Sequence, residues 1–300
     1  MRPPLTILSC LLLSHFCFGE QSNKQVITVA APGIISEEYK DLKGNKECVD
    51  KRLLGSRYFS RGAIEAALIC LALKSSNYKN QLKLIPSPNY SRALRMVELG
   101  EADISAESIW SFDTQPELVL KSQAVYRWGE FEKGLYTIPQ HPLQKENPDQ
   151  LDISPYRGVT IRGWHSDWQA LSAITAQIYS ATRHDSPFLM LQAGRADFML
   201  MNFTSTKSLE IEQIGVKMKP IAGVKVKLPG SRHFVVSRKT NKGQQLLDAI
   251  NKGLAQLRKD GELQELLLHV GLNSPKTKNW HVLNKNSFEQ AKALYMKHNK

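Results

Sequence analysis

A chain of 300 residues with a formal net charge of +12 is longer than one hydrophobic core usually serves, and four cysteines are too few for a disulfide-built scaffold. Its lysines and arginines are scattered rather than set in an aromatic-interleaved stripe, which argues against nucleic acid as a partner. No His-Glu-x-x-His, Cys-x-x-Cys, Gly-x-Ser-x-Gly or glycine-rich phosphate loop occurs, so no metal, cofactor or activated nucleophile is expected.

The opening run Leu5–Phe18 is apolar, too short to span a bilayer comfortably, and followed by polar residues. Residues 1–19 therefore read as a secretory signal peptide, cleaved after Gly19. Losing Arg2 with it lowers the formal charge from +12 to +11, a positive surface open to an anionic ligand, membrane surface or cell-wall polymer. Cys48 and Cys70 are the pair that remains, and an oxidising compartment predicts a disulfide between them. The alternative is that Cys70, within the apolar helix Gly62–Leu73, is an ordinary buried thiol.

Val26–Ala31 is a buried strand closed by Pro32-Gly33. Residues 34–57 read as polar and irregular. The apolar helix Gly62–Leu73 follows, with Ser60 as its N-cap. A strand over Asn80–Pro86, an amphipathic helix over Tyr90–Leu99 and a strand over Ile104–Trp110 complete a β-α-β-α-β unit, which implies an open parallel sheet. Leu118–Tyr126 and Lys133–Ile138 are strand-like and read as the crossover out of a first lobe. Arg157–Gly163 restarts the pattern as a strand entering a glycine turn, and Trp164 opens a helix running to about Ser180. After Leu189–Asn202, strands are expected at Ile214–Pro220 and Ala222–Leu228. His233–Arg238 returns the chain to the first lobe, and helices follow over Gly243–Lys259, Glu262–Val270 and Ser287–His298.

One pattern occurs twice. Leu94–Glu107 and Leu189–Asn202 are each a short apolar helix, a glycine stop and a buried strand, with Gly100-Glu-Ala-Asp103 answering Gly194-Arg-Ala-Asp197. Glycine takes the left-handed conformation a helix end needs, and the strand behind it carries its last residue to the carboxyl edge of the sheet. In open α/β sheets that edge faces the binding crevice. Two copies imply two similar lobes: 24–136 plus 229–274 form lobe one, 137–228 form lobe two, and 275–300 form a basic tail with a short helix that packs on a lobe edge or frays.

Candidate ligand-binding residues lie where strands end. Gly163-Trp-His-Ser166 joins a strand to a helix start, where free N–H groups favour an anion and Ser166 can cap. Trp110 and Phe112 can stack on a ligand face. Asn202 ends a buried strand and needs a hydrogen-bond partner if enclosed. Gln115 and Arg162 belong to the same two exit loops.

Across residues 25–272 the order of Leu99-Gly-Glu-Ala-Asp-Ile104, Tyr156-Arg-Gly-Val-Thr-Ile-Arg-Gly163, Leu191-Gln-Ala-Gly-Arg-Ala-Asp197, Phe234-Val-Val-Ser-Arg-Lys239 and the helix ending Lys259-Asp-Gly-Glu-Leu263 resembles the bacterial extracellular solute-binding proteins of the family 3 type. The resemblance implies a periplasmic, monomeric α/β protein of the type II periplasmic-binding fold, with two lobes on a two-strand hinge. Its partners would be a small-molecule ligand and an inner-membrane transporter permease or sensor receptor. It implies no enzymatic activity, and the residues after Pro275 are too few for a fused transglycosylase domain.

Amino-acid binders of that family carry a Thr-x-x-Arg after the third strand and an aspartate at the end of the lobe-two strand. Here the corresponding positions hold Trp110-Ser-Phe-Asp-Thr-Gln115 and Asn202. The expected ligand is therefore an aromatic, neutral polar or singly anionic solute rather than an ordinary α-amino acid. It would be held by Trp110, Phe112, Gln115, Arg162, Trp164, His165, Ser166 and Asn202. The alternative is a ligand-independent interaction partner of a membrane sensor or cell-envelope component.

Overall fold

Apolar runs and capped helices alternate from the start of the computed structural model, which describes residues 25–54, 59–204, 206–272 and 274–298. In chain order they form β1 (Gln25–Pro32), α1 (Gly33–Lys43), α2 (Arg61–Ser75), β2 (Asn80–Ser87), α3 (Tyr90–Leu99), β3 (Ile104–Ser105), β4 (Ile109–Trp110), β5 (Val119–Tyr126), β6 (Glu132–Thr137), β7 (Gly158–Ile161), α4 (His165–Ser172), β8 (Ile178–Ala181), α5 (Ser186–Gln192), β9 (Phe198–Met201), β10 (Ile211–Gln213), β11 (Val216–Lys227), β12 (Arg232–Ser237), α6 (Gly243–Lys259), α7 (Glu262–His269), β13 (His281–Val282) and α8 (Lys285–His298). The expected signal peptide lies outside the described residues. Among those residues no helix is long and apolar enough to cross a membrane.

Two sheets result. The first runs β2-β1-β3-β12-β4 with β5 paired to β12, and the second runs β10-β11-β6-β9-β7-β8 with β13 paired to β11. In the first, β1 is parallel to β2 and β3. In the second, β7 is parallel to β8 and β9. α2 is apolar on nearly every side and buried accordingly; Ser60 caps it, accepting the Ala63 N–H at 3.3 Å.

The repeated glycine turn does the same work in both lobes. Gly100 and Gly194 have φ of +79° and +66°, and the chain beyond each folds back onto the helix: Glu101 N–H bonds to Met96 O and Arg195 N–H to Met190 O. Each aspartate then ties the new strand to its neighbour. Asp103 accepts the backbone N–H and hydroxyl of Thr28, both at 2.7 Å, and lies 2.9 Å from Lys242 Nζ. Asp197 accepts Arg157 N at 2.7 Å, Nε at 2.9 Å and Nη2 at 2.8 Å, with His141 Nε2 at 3.2 Å.

Several sequence expectations are corrected. Residues 33–43 are helical rather than irregular, because Ile35, Tyr39 and Leu42 share one buried face. The helix opened at Trp164 stops at Ser172 and does not reach Ser180. Ile178–Ala181 is instead a strand paired along β7. The third strand is broken into β3 and β4 by a turn at residues 106–108. β6, expected to finish lobe one at residue 136, is hydrogen bonded to β9 and β11 in the second sheet, so the first-sheet segment ends at Tyr126. The basic tail is built into the second sheet through β13.

The two sheets are joined by the segments 127–131 and 228–231. These lie side by side: Tyr126 pairs with Arg232, Glu132 pairs with Lys227, and Leu228 N–H bonds to Phe131 O at 2.9 Å. This is the expected two-strand hinge. The segment after α7 braces it. Buried Lys225 donates to Glu132 and to the carbonyls of Thr277 and Lys278. Asn284 bonds both the N–H and C=O of Lys227. Phe288 of α8 is buried, with its ring 6.0 Å from that of Trp128. Gly271 permits the close approach of this segment to lobe two; a Cβ there would lie 1.7 Å from Phe203 O.

Cys48 and Cys70 form a disulfide that staples the loop after α1 to α2. With a sequence separation of 22 between the two positions, replacing Cys48 or Cys70 by Ser is expected to lower unfolding free energy by about 3 kcal/mol, measured by denaturant titration against the oxidised wild type. A pH effect is expected at Asp197. Burial alone would raise its pKa, but the Arg157 hydrogen bonds and His141 outweigh burial and lower it. A carboxyl whose folded pKa is depressed contributes stability above its unfolded pKa of about 4 and loses it as pH falls through the folded value. The stability gap between wild type and Asp197→Asn should therefore be full at neutral pH and narrow below about pH 4, as read from urea midpoints across that range.

Candidate functional site

The hinge register decides what faces what. In lobe one, Arg232 and His233 at the start of β12 pair with Trp110 and Ile109 of β4, so the exit of β3 and β4 lies at the hinge. In lobe two, Gly134 near the start of β6 pairs with Met201 at the end of β9, which puts Lys133 level with Asn202. The carboxyl ends of both parallel units thus abut the same hinge.

The lobe-one end holds a buried ionic network. Arg61, at the first turn of α2, donates to both Glu65 oxygens at 2.7 Å and to Glu107 Oε1 at 2.9 Å. Glu65 is 0 % exposed and also accepts the N–H and hydroxyl of Ser108, at 2.7 and 2.9 Å. Ser108 in turn accepts Arg232: Nε reaches its hydroxyl at 3.0 Å and Nη2 its carbonyl oxygen. The Arg232 guanidinium lies 4.7 Å from the Trp110 ring centre, 5.6 Å from Phe131 and 5.7 Å from Tyr90, a sandwich that favours a cation. Burial works against the charge of Arg61, but Glu65 and Glu107 hold its pKa above the ordinary arginine value. Burial first, then Arg61, push Arg232 downward.

The lobe-two end is smaller. Lys133 Nζ lies 2.5 Å from Asp167 Oδ1, both side chains being at most 10 % exposed, and 5.0 Å from the Trp164 ring centre. On β7, at the start of α4 and just past β9, Thr160 Oγ1, Ser166 Oγ and Asn202 Oδ1 are buried without a hydrogen-bond partner among the described residues. Buried polar atoms are seldom left unpaired in a protein interior.

The expected site residues divide accordingly. Trp110 is buried and stacks on Phe112 at 5.7 Å and 10°, and Phe112 remains 49 % exposed. Ser166 and Asn202 lie at the lobe-two floor. Arg162, Trp164 and His165 line an open depression of about 270 Å³ with Trp168 and Ser180. The helix turns Trp164, His165 and Trp168 outward while it turns Ser166 and Asp167 inward. Gln115 is exposed in the turn before β5, where its carbonyl accepts Leu118 N–H; no contact joins its side chain to the others. Arg61, Glu65, Glu107, Ser108, Arg232 and the Lys133–Asp167 pair were missed. A glutamate inside the apolar stretch Ala63-Ile-Glu-Ala-Ala-Leu68, four residues after an arginine, was the signal available.

Among the described residues no group of three His, Cys, Asp or Glu side chains could hold a metal ion. Glu65 is the joint of the lobe-one network, and removing one member of a buried ion pair leaves an uncompensated charge. Glu65→Gln is expected to cost about 3–5 kcal/mol of stability, and Glu107→Gln, whose side chain is 14 % exposed, distinctly less, both measured by chemical denaturation.

No family model matches the sequence, and comparison with curated proteins finds no relative. Solved structures do match. The second substrate-binding domain of GlnP from Lactococcus lactis, in open conformation, is 17% identical with a TM-score of 0.50, over 84% of this chain and 97% of that one. The probable amino-acid ABC transporter extracellular-binding protein YtmK from Bacillus subtilis is 16% identical with a TM-score of 0.56, over 83% and 98%. The periplasmic VFT2 domain of BvgS from Bordetella pertussis is 17% identical with a TM-score of 0.54, over 82% and 93%. The chain has the two-lobe α/β fold of the type II periplasmic binding proteins, the fold of the family 3 solute-binding proteins.

Proposed function

We propose that the protein is a non-enzymatic, exported, monomeric binding protein that takes up a small solute between its lobes and presents it to a transport permease or a sensor receptor in the membrane. The observation that carries this reading is the lobe-two floor, where Ser166, Asn202 and Thr160 bring buried, unpartnered oxygens to the carboxyl end of a sheet that abuts the hinge. A solute supplies the missing hydrogen-bond partners, and closure follows from its greater affinity for the closed arrangement. Phe112, half-exposed beside the hinge, offers an aromatic face to the same solute. The fold's substrate-binding and sensor neighbours agree with this reading.

In a thermal-shift screen of residues 20–300 against sugars, polyols, nucleosides, organic acids, polyamines and amino acids, one class should raise the melting temperature selectively. A ligand at a hundred times its Kd adds about 2.7 kcal/mol. Ser166→Ala and Asn202→Ala should each weaken that ligand by about tenfold, the equivalent of one hydrogen bond, while leaving the unliganded melting temperature within a degree or two. A well-folded protein that responds to no class, or variants that bind as well as wild type, would remove the cleft from consideration.

A further inference from the structure

The buried charges at the two sheet ends sum to zero. At the lobe-one end Arg61 bonds both carboxylates, Glu65 and Glu107, while Arg232 donates to Ser108, which is itself bonded to Glu65. At the lobe-two end the ammonium of Lys133 is matched by Asp167. Each group is therefore internally balanced, two against two and one against one. What remains unmatched on the lobe-two floor is uncharged: two hydroxyls, of Ser166 and Thr160, and the amide oxygen of Asn202.

Resting on the solute-binding reading above, we infer that the bound solute is electrically neutral, a compact polyhydroxylated or amide-bearing molecule that offers hydrogen-bond donors to Asn202 and either donors or acceptors to the two hydroxyls. A charged group brought into this gap would be desolvated without meeting an opposite charge that is free, and a buried ion without a counter-ion costs far more than a hydrogen bond returns. A zwitterion would need a free cation and a free anion at once. Asp167 is held by Lys133, Glu65 and Glu107 by Arg61, and Arg232 is enclosed by Trp110, Tyr90 and Phe131. Asp113 at the rim accepts the Tyr90 hydroxyl at 2.9 Å. Arg162 carries no ion pair among the described residues, but it is exposed in the outer depression with Trp168 and Ser180, where water and salt screen it. Neutral solutes also suit a protein whose positive surface would otherwise concentrate every small anion around it.

The test is a calorimetric titration of residues 20–300 with probes of similar shape and different charge: glucose with glucuronate and glucosamine, galactose with galacturonate, nicotinamide with nicotinate. The expected result is that at least one neutral probe binds and its charged counterpart binds at least tenfold more weakly. A charged member that binds as tightly as its neutral partner, or tighter, overturns neutrality and leaves solute capture standing. Silence across this panel and the broader screen overturns solute capture, and neutrality with it. A second arm reverses the selectivity. Asp167→Asn leaves Lys133 without its counter-ion, and the anionic counterpart of the bound probe should gain at least tenfold over its affinity for wild type. Should that variant not fold, Glu107→Gln, which frees one edge of the Arg61 guanidinium, serves the same purpose. A folded variant in which the anion gains nothing overturns the inference.

Discussion

Two strands crossing between sheets in direct antiparallel contact set the geometry on which the rest depends. Because Leu228 bonds to Phe131 across the crossing and both flanking pairs stay in register, neither sheet can be turned end for end without breaking the joint. Both therefore present their carboxyl ends to one gap. Trp110 lies beside Arg232 and Lys133 beside Asn202 for this reason. Residues that share no neighbourhood in sequence are thereby brought to the two sides of one hinge.

Scaffold and site have followed different rules in the two lobes. The Gly-x-Ala-Asp turn is used alike: a left-handed glycine, then an aspartate that fastens the new strand to Thr28 in one lobe and to Arg157 in the other. A backbone task has one good solution, and it recurs. The two sides share no such solution. One is an extended network of arginines, glutamates and aromatic rings; the other is a single lysine–aspartate pair, with buried hydroxyls on β7 and α4. Both obey the demand that charge removed from water be matched locally.

This contrast also explains what could be read from the sequence. The repeated turn and α2 with its Ser60 cap were legible because each rests on local periodicity or on a backbone requirement confined to a few residues; the Cys48–Cys70 pair followed from the compartment that a signal peptide implies, and the hinge from the family resemblance. Helix α1 was missed although Ile35, Tyr39 and Leu42 keep helical spacing, because its polar face dominated the composition of that stretch. Ser166 and Asn202 were singled out because strand ends are predictable places. The run Gly163–Ser166 was read as one strand-to-helix site, yet the helix starting at His165 leaves Trp164 and His165 exposed and turns Ser166 inward. Arg232 and Lys133 could not be found, since their partners lie 124 and 34 positions away and only the tertiary crossing brings them together.

The brace formed by β13 and α8 has a further consequence, in the order of events as the chain is made. Every strand of the two sheets except β13 precedes it in the sequence, so the joint between the sheets is made before the segment that braces it. Asn284 then grips Lys227 and Phe288 packs against Trp128, which adds a second set of contacts across the joint already made by Leu228 and Phe131. Docking of α8 is the step that turns the two lobes into an instrument with a calibrated angle.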